Sequence, residues 1–186
     1  MSNVSFKDLI GKKTLILGDV GVGKTQLTRR LLAEAVEQGH SREITVIEMA
    51  PEAMTVKGLT VGGRLLNPKA SPVRLLEGRD IKAPRLSARN GREVLELAER
   101  NAAETRRLLE EFLREPTRVL FVNDLSIYLH RGDLEYLWRA LQRAETVVAN
   151  AYRGDKLKND LDTGLSDRER QLVDTLEARM DVVLYL

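Results

Sequence analysis

The chain has 186 residues, of which 42% are hydrophobic and 31% charged, and its formal net charge at pH 7 is +2. This length and composition predict one globular domain over residues 1–186, with a hydrophobic core that is large enough to be stable without disulfides or structural metals. Cysteine is absent, which excludes disulfides, thiolate nucleophiles and zinc sites built on sulfur. No apolar run reaches the roughly 18 residues of a membrane span, and the first residues lack an export signal. We therefore expect a cytoplasmic protein without membrane contacts.

Strand-like and helix-like segments alternate along the chain. Residues 52–72 interrupt this alternation with glycines and prolines of little periodicity. Asp133 is expected to cap one helix, and a capping box at residues 166–169 is expected to open the last one. In chain order the apolar spacing predicts a strand at 14–17, a helix at 24–38, strands at 44–49 and 72–76, a helix at 90–114, a strand at 118–124, a helix at 134–141, a strand at 146–150, a helix at 166–180 and a strand at 181–185.

The predicted strands are apolar on both faces, and helices separate most of them. Strands of this kind are typical of parallel sheets that are covered by helices on both sides. We therefore predict an α/β fold with three layers, α/β/α, built around a mostly parallel sheet of about five or six strands.

An unusual turn follows the first predicted strand. Residues 18–25 read GDVGVGKT, which has the spacing G-x-x-x-x-G-K-T. Glycines let a backbone wrap around an anion with its N–H groups pointing inward, and the next helix adds the positive end of its dipole. In this pattern the lysine reaches the β- and γ-phosphates and the hydroxyl ligates Mg²⁺. The predicted nucleotide-binding residues are Gly18, Asp19, Val20, Gly21, Val22, Gly23, Lys24, Thr25 and Gln26.

The GDVGVGKT stretch closely resembles the phosphate-binding loop, or Walker A motif, of P-loop NTPases. The alternation of strands and helices extends this resemblance loosely over the whole chain, towards the RecA-like (ASCE) ATPases. The GDVGVGKT stretch is also similar to that of small archaeal-type nucleoside triphosphatases. The resemblance implies a P-loop fold that binds ATP or ADP with Mg²⁺. The residues after the fifth predicted strand read NAYRGDKL, without the Asn-Lys-x-Asp pattern with which GTPases read guanine. ATP is therefore favoured over GTP.

A P-loop site also needs an acid at the end of an apolar strand to hold Mg²⁺, and Asp124 follows such a strand. In RecA-like ATPases this strand commonly ends in Asp-Glu, whereas here Asn123 precedes Asp124. Asp124 therefore corresponds either to the metal acid or to the glutamate that polarises water. If it is the metal acid, the resemblance points to a catalytic carboxylate near the end of the second strand, Glu48 or Glu52, and places that strand end beside the phosphate loop.

Other polar residues follow strand ends. Asn150 ends the fifth predicted strand, where the resemblance implies a sensor of the γ-phosphate; a turn-forming role is the alternative. Arg131 and Arg153 lie in strand-end loops, and either is a candidate for neutralising charge in the transition state. His130 is expected to be an ordinary loop residue.

Basic residues are concentrated between residues 64 and 92, where only Glu77 and Asp80 oppose them. This stretch is a candidate surface for a second anionic ligand, although such spacing also occurs on solvated faces. It contains no aromatic residue for base stacking, so nucleic acid is not favoured. Its basic residues are Arg64, Lys69, Arg74, Arg79, Lys82, Arg85, Arg89 and Arg92.

Three functions are consistent with these patterns. The first is a Mg²⁺-dependent ATPase that couples hydrolysis to a partner or substrate, with catalysis by Lys24, Asp124 and the candidate carboxylates. The second is a small-molecule transferase or kinase, since the regions RVLFVNDLSIYL and TVVANAYRG resemble ATP:corrinoid adenosyltransferases. The third is a nucleotide-dependent switch that turns over slowly. The sequence leaves the oligomeric state open.

Overall fold

The computed structural model describes residues 4–56, 58–66 and 72–186. Two short 3-10 helices, Phe6–Leu9 and Ser41–Glu43, lie directly ahead of the first and second strands. In chain order the strands and α-helices are β1 (Lys13–Gly18), α1 (Lys24–Glu37), β2 (Ile44–Glu48), β3 (Met54–Val56), β4 (Leu59–Val61), β5 (Arg74–Glu77), α2 (Pro84–Ser87), α3 (Gly91–Arg114), β6 (Val119–Asn123), α4 (Leu125–Leu129), α5 (Leu134–Leu141), β7 (Thr146–Tyr152), α6 (Leu165–Glu177) and β8 (Val182–Tyr185).

Six of the strands form one sheet in the order β5-β2-β6-β7-β1-β8. Every neighbouring pair in it is parallel; Leu15 of β1, for example, lies opposite Ala149 of β7 and Val183 of β8. The prediction of a largely parallel α/β sheet of five or six strands is confirmed: the fold has a six-stranded, all-parallel sheet flanked by helices. Strands β1 and β2, the first two of this sheet along the chain, are not neighbours in it, because β7 and β6 lie between them.

The two faces of the sheet contribute to two separate parts of the core. Successive side chains of a strand point to opposite faces, so the residues of β1 divide between them. Leu15 and Leu17 pack in the cluster that contains Phe112 of α3. Ile16 packs in the other cluster, with Leu31 of α1. Burial on both faces is why the strands are almost continuously apolar.

Helix α3 is the longest described helix, and its pattern is amphipathic as predicted. Its buried face includes Val94, Ala98 and Phe112. On the exposed side, ion pairs join residues one turn apart, such as Arg92 and Glu96 at 2.8 Å. Over the described part of the chain, no helix combines the length and the apolar character that crossing a membrane requires.

Several short elements were not predicted from the sequence. Strands β3 and β4 pair as an antiparallel hairpin within the region expected to be irregular. Helices α2 and α4 have four and five residues, too few to produce a helical period in the sequence.

The predicted start of the last helix was wrong, whereas the cap of α5 is confirmed. Helix α6 begins one residue before Ser166, after Gly164 in the left-handed conformation with φ of 72°. The backbone N–H of Ser166 donates to the carboxylate of Asp160 at 2.8 Å, so no capping box forms there. At α5, the carboxylate of Asp133 accepts a hydrogen bond from the N–H of Tyr136 at 2.7 Å, as expected of an N-cap.

We expect Phe121→Ala to lower the free energy of unfolding by about 3–5 kcal/mol, because the truncation leaves a cavity in the core. Phe121 lies in β6, is 0% exposed and stacks on Phe6 with ring centroids 6.0 Å apart. Chemical denaturation followed by circular dichroism measures the change. Ile10→Ala, at a side chain 47% exposed, is the control and should change the value by less than about 0.5 kcal/mol. Similar small effects at both positions would contradict this packing.

Candidate functional site

The 18–25 loop leaves the carboxyl end of β1 and leads into α1. In a parallel sheet all carboxyl ends lie along one edge, which is where ligands bind in open α/β folds. Gly21 and Gly23 have φ of 79° and 100°, the left-handed region that side chains disfavour. No described side chain caps the N terminus of α1. Its first N–H groups are therefore free to bind an anion.

Lys24 closes the loop on itself. Its ammonium donates hydrogen bonds to the backbone carbonyls of Gly18 at 2.9 Å and Asp19 at 2.7 Å. Burial lowers the pKa of Lys24, and the negative charges of Asp124 and Asp19 partly oppose that change. The loop thus holds a desolvated cation beside the N terminus of α1.

The segment after β7 supports the 18–25 loop from outside. The carboxylate of Asp19 accepts a hydrogen bond from the N–H of Asp155 at 3.1 Å, and the ammonium of Lys156 donates to the carbonyl of Val20 at 3.0 Å. A Cβ on Gly154 would lie only 2.2 Å from Cγ of Asp19, so this close approach requires glycine. The side chain of Asp19, one of the residues predicted to bind nucleotide, holds this neighbouring segment against the loop.

A cleft opens above this edge of the sheet. Four of the nine predicted loop residues line it: Val20, Gly21, Lys24 and Thr25. The facing walls come from the β3–β4 hairpin, α2 and α4, and the strand ends contribute its floor. The remaining predicted residues, Gly18, Asp19, Val22, Gly23 and Gln26, do not line the cleft.

Asp124 is the only carboxylate among the described residues that line the cleft. It directly follows β6 in the left-handed conformation, with φ of 62°, and its N–H donates to the side-chain oxygen of Asn150 at 3.0 Å. Burial raises the pKa of Asp124, and so does the charge of Glu169, whereas Lys24 opposes the change. Thr25 and Asp124 together provide oxygen atoms of the kind that Mg²⁺ prefers.

Glu48 does not reach the cleft. The expectation that the end of β2 lies beside the phosphate loop was wrong, because β6 and β7 lie between β2 and β1. The Glu48 side chain is buried, and its carboxylate accepts hydrogen bonds from the amide of Asn123 at 2.5 Å and the N–H of Leu65 at 2.7 Å. Burial raises the pKa of Glu48 to about 7. The other candidate, Glu52, is exposed and pairs with Arg64 at 3.5 Å, outside the cleft.

Asn150 connects the strand ends to α1. Its amide nitrogen donates to the side-chain oxygen of Asn123 at 2.9 Å and to the hydroxyl of Thr28 at 3.0 Å. The Thr28 hydroxyl in turn donates to the carbonyl of Lys24 at 2.9 Å. Thr28, Asn150, Asn123 and Glu48 therefore form a continuous series of hydrogen bonds, which we call the polar chain. Asn150 lines the cleft and positions both Asp124 and the start of α1.

The candidate arginines are not in the cleft. Arg131 pairs with Glu99 at 2.8 Å, and Arg153 pairs with Glu177 at 2.8 Å. Arg85 lines the cleft instead, although its spacing did not distinguish it from the other basic residues of its stretch. His130 lies in the turn after α4, as expected of a loop residue, but it is not an ordinary one, because it is buried and lines the cleft.

Most of the basic residues between residues 64 and 92 pair with acids of the same chain. Lys69 lies outside the described residues. Arg74 donates to the backbone carbonyl of Glu115 at 2.5 Å. The ion pairs are Arg64–Glu77, Lys82–Asp80, Arg85–Glu169, Arg89–Glu93 and Arg92–Glu96.

Comparison with known proteins adds no relative: no family model matches the chain, and no curated protein matches it in sequence. The functional interpretation therefore depends on the sequence motif and on the geometry of this cleft.

Titration of Glu48 should make the stability of the protein depend on pH. The folded state keeps the Glu48 proton up to about pH 7, whereas the unfolded chain releases it near the ordinary value of 4.5. The folded state then binds more protons between these values, so its stability falls as pH rises. Relative to Glu48→Gln, the wild type should lose about 2–3 kcal/mol of unfolding free energy between pH 5 and pH 8.

Urea denaturation at several pH values measures this difference. The matched control is Glu52→Gln, at an exposed carboxylate, which should remain within about 0.5 kcal/mol of the wild type throughout. Parallel pH profiles for the wild type and Glu48→Gln would contradict the buried, proton-holding state of Glu48.

Proposed function

We propose that this chain is a nucleotide-binding protein of the P-loop class and, within that class, a Mg²⁺-dependent ATPase. The observation that carries the proposal is the position of Lys24, Thr25 and Asp124, which line one cleft at the uncapped N terminus of α1. A cation, a hydroxyl and a carboxylate in this arrangement match the groups with which a triphosphate and its metal are bound. The preference for ATP over GTP rests on the sequence alone.

The residues present fit a magnesium–nucleotide complex. The backbone N–H groups of the 18–25 loop and of the first turn of α1 surround the phosphates. Lys24 exchanges its carbonyl partners for phosphate oxygens, which are stronger acceptors because they are charged. Thr25 and Asp124 would hold Mg²⁺, and the ion would supply neutralisation of charge on the phosphates.

Hydrolysis in this site is mainly a matter of positioning and charge stabilisation. An oxygen of water forms a bond to the γ-phosphorus, and the bond from that phosphorus to the β–γ bridging oxygen breaks. The proton that the water loses passes to the departing phosphate or to solvent, and ADP and phosphate leave. Lys24 and the loop N–H groups stabilise the charge that develops on the phosphates. The polar chain keeps Asp124 and α1 in a fixed relation, so the metal site and the phosphate site stay aligned.

A small-molecule transferase is the second candidate, and the far side of the cleft favours it. Pro51, Val61 and Leu86 place apolar groups opposite the phosphate loop, as expected for a pocket that holds an organic acceptor. A transferase would consume ATP only when an acceptor is added, whereas an ATPase consumes ATP without any acceptor other than water. Phosphate release with ATP and Mg²⁺ as sole reactants separates the two functions.

Lys24→Ala should abolish nucleotide binding. Removing the ammonium leaves the phosphates without their closest cation, so we expect the affinity for Mg²⁺·ATP to fall by at least about 100-fold in isothermal titration calorimetry. Lys7→Ala, at an exposed lysine outside the cleft, should bind like the wild type. Unchanged affinity in Lys24→Ala would contradict the proposed site.

Asp124→Asn should separate metal binding from nucleotide binding. Because the amide carries no charge, the variant should lose the Mg²⁺ dependence of its ATP affinity while still binding nucleotide in the presence of EDTA. Its rate of phosphate release should fall by roughly 10²-fold or more. Calorimetry with and without Mg²⁺ makes the measurement, and Asp8→Asn is the exposed control. Retained Mg²⁺ dependence in Asp124→Asn would place the metal elsewhere.

A further inference from the structure

Arg85 carries the only guanidinium among the described residues that line the cleft. It lies on α2, and its side chain is only 6% exposed. Nη1 contacts the carboxylate of Glu169 at 2.8 Å and donates to the hydroxyl of Ser166 at 3.1 Å. Both partners belong to α6, so the guanidinium is held between two helices at the wall that faces the phosphate loop.

Most donors of this guanidinium have no hydrogen-bond partner among the residues that the structure describes. An arginine offers five N–H groups, and no described residue accepts a hydrogen bond from Nε or Nη2 of Arg85. A nearly buried guanidinium with free donors on a cleft wall is suited to bind an anion with several oxygens, because its fork geometry matches carboxylate and phosphate groups.

Arg85 lies close to the phosphate loop. Cζ of Arg85 lies 5.2 Å from the centroid of the Tyr152 ring, at the end of β7. Nζ of Lys24 lies 6.0 Å from the same centroid. Asp124 lines the same cleft as Lys24 and Arg85. The two cations thus approach the same aromatic ring in the cleft that Asp124 also lines.

The support behind Arg85 is a buried charge cluster. Glu169 has a side chain only 3% exposed, and the same oxygen that contacts Arg85 lies 2.9 Å from Nε2 of His130. Burial opposes ionisation of Glu169, but His130 and Arg85 outweigh it, so the pKa of Glu169 lies below its ordinary value. Oε1 of Glu169 and Nδ1 of His130 have no hydrogen-bond partner among the described residues.

Such a cluster is a poor way to gain stability. Buried ion pairs seldom stabilise more than apolar residues of similar volume, and buried polar atoms without partners are unfavourable. The arrangement does, however, fix the direction of the Arg85 side chain. Groups that must act in one geometry are commonly held in this way by a second layer of residues.

We propose that Arg85 is a catalytic residue that acts within its own chain: its guanidinium binds the γ-phosphoryl group and stabilises the charge that develops as the bond to the bridging oxygen breaks. Glu169 and His130 are positioning residues that hold it. This inference rests on the proposed function, and it makes the chain independent of an arginine from a neighbouring subunit. Water supplies the attacking oxygen, and ADP and phosphate are the products.

Nucleotide binding tests the contact itself. Arg85→Ala should bind two ligands about 10-fold or more weakly than the wild type: Mg²⁺·ATP, and the complex of ADP with aluminium fluoride. Its affinity for ADP alone should stay within about twofold of the wild-type value, because ADP lacks the γ-group. Its kcat should fall by roughly 10³-fold. Arg85→Lys provides the same test if Arg85→Ala fails to fold. It keeps the positive charge but not the forked geometry of the guanidinium, so it should also lose most of kcat. Arg131→Ala is the matched control and should retain the wild-type values.

Two further measurements distinguish a catalytic role from a structural one. Guanidinium ion added to Arg85→Ala should restore part of the rate, and Glu169→Gln should lower kcat with little effect on ADP binding. Mixing Lys24→Ala with Arg85→Ala should restore no activity, because each chain needs both residues. Recovery in the mixture, or wild-type kcat in Arg85→Ala, would overturn the inference while leaving the ATPase intact. Failure of the wild type to bind any nucleotide would overturn the proposed function itself.

Discussion

Burial of the central sheet on both faces is the constraint on which the rest of this structure depends. Polar side chains are excluded from most of each strand and occur where the strands end, at the edge that also carries the 18–25 loop. Glu48 and Asn123 are the last residues of β2 and β6, and Asn150 lies near the end of β7. Because these groups are buried, they need partners, and they find them in one another and in Thr28. The polar chain is thus a direct consequence of how the sheet is covered.

This arrangement gives the cleft two different kinds of polar group. The polar chain has nearly all of its hydrogen bonds made within the protein, and it fixes the positions of the strand ends. Lys24, Asp124 and Arg85 have ionisable side chains and line the open space, where the proposed function assigns them to the nucleotide and its metal. Under the proposed function, a hydrogen-bonded layer beneath ionisable side chains is the arrangement expected where a polyanion and a metal are held in fixed positions.

Much of the fold could be predicted from the sequence, because strands buried on both faces and amphipathic helices have strong periodic patterns. Helix α3 and strands β1, β2 and β6 were predicted within a few residues. The β3–β4 hairpin, α2 and α4 are too short for a period to develop. The apparent capping box of α6 was misleading because Ser166 and Glu169 have tertiary partners, Arg85 and His130, that outcompete the local cap.

The sequence by itself determined the local features of the site: glycines where the backbone turns left-handed, a lysine and a threonine at the start of α1, and an acid after an apolar strand. Only the tertiary structure decided which other side chains face the cleft. Strand order in a parallel sheet differs from chain order, so Glu48, close in sequence to the first helix, is separated from the loop by two strands. Arg85 is held at the cleft by Ser166 and Glu169 of α6, and α4, which precedes His130, packs against α6. Both positions thus depend on contacts between segments far apart in the chain. Spacing along a sequence carries no information about such contacts.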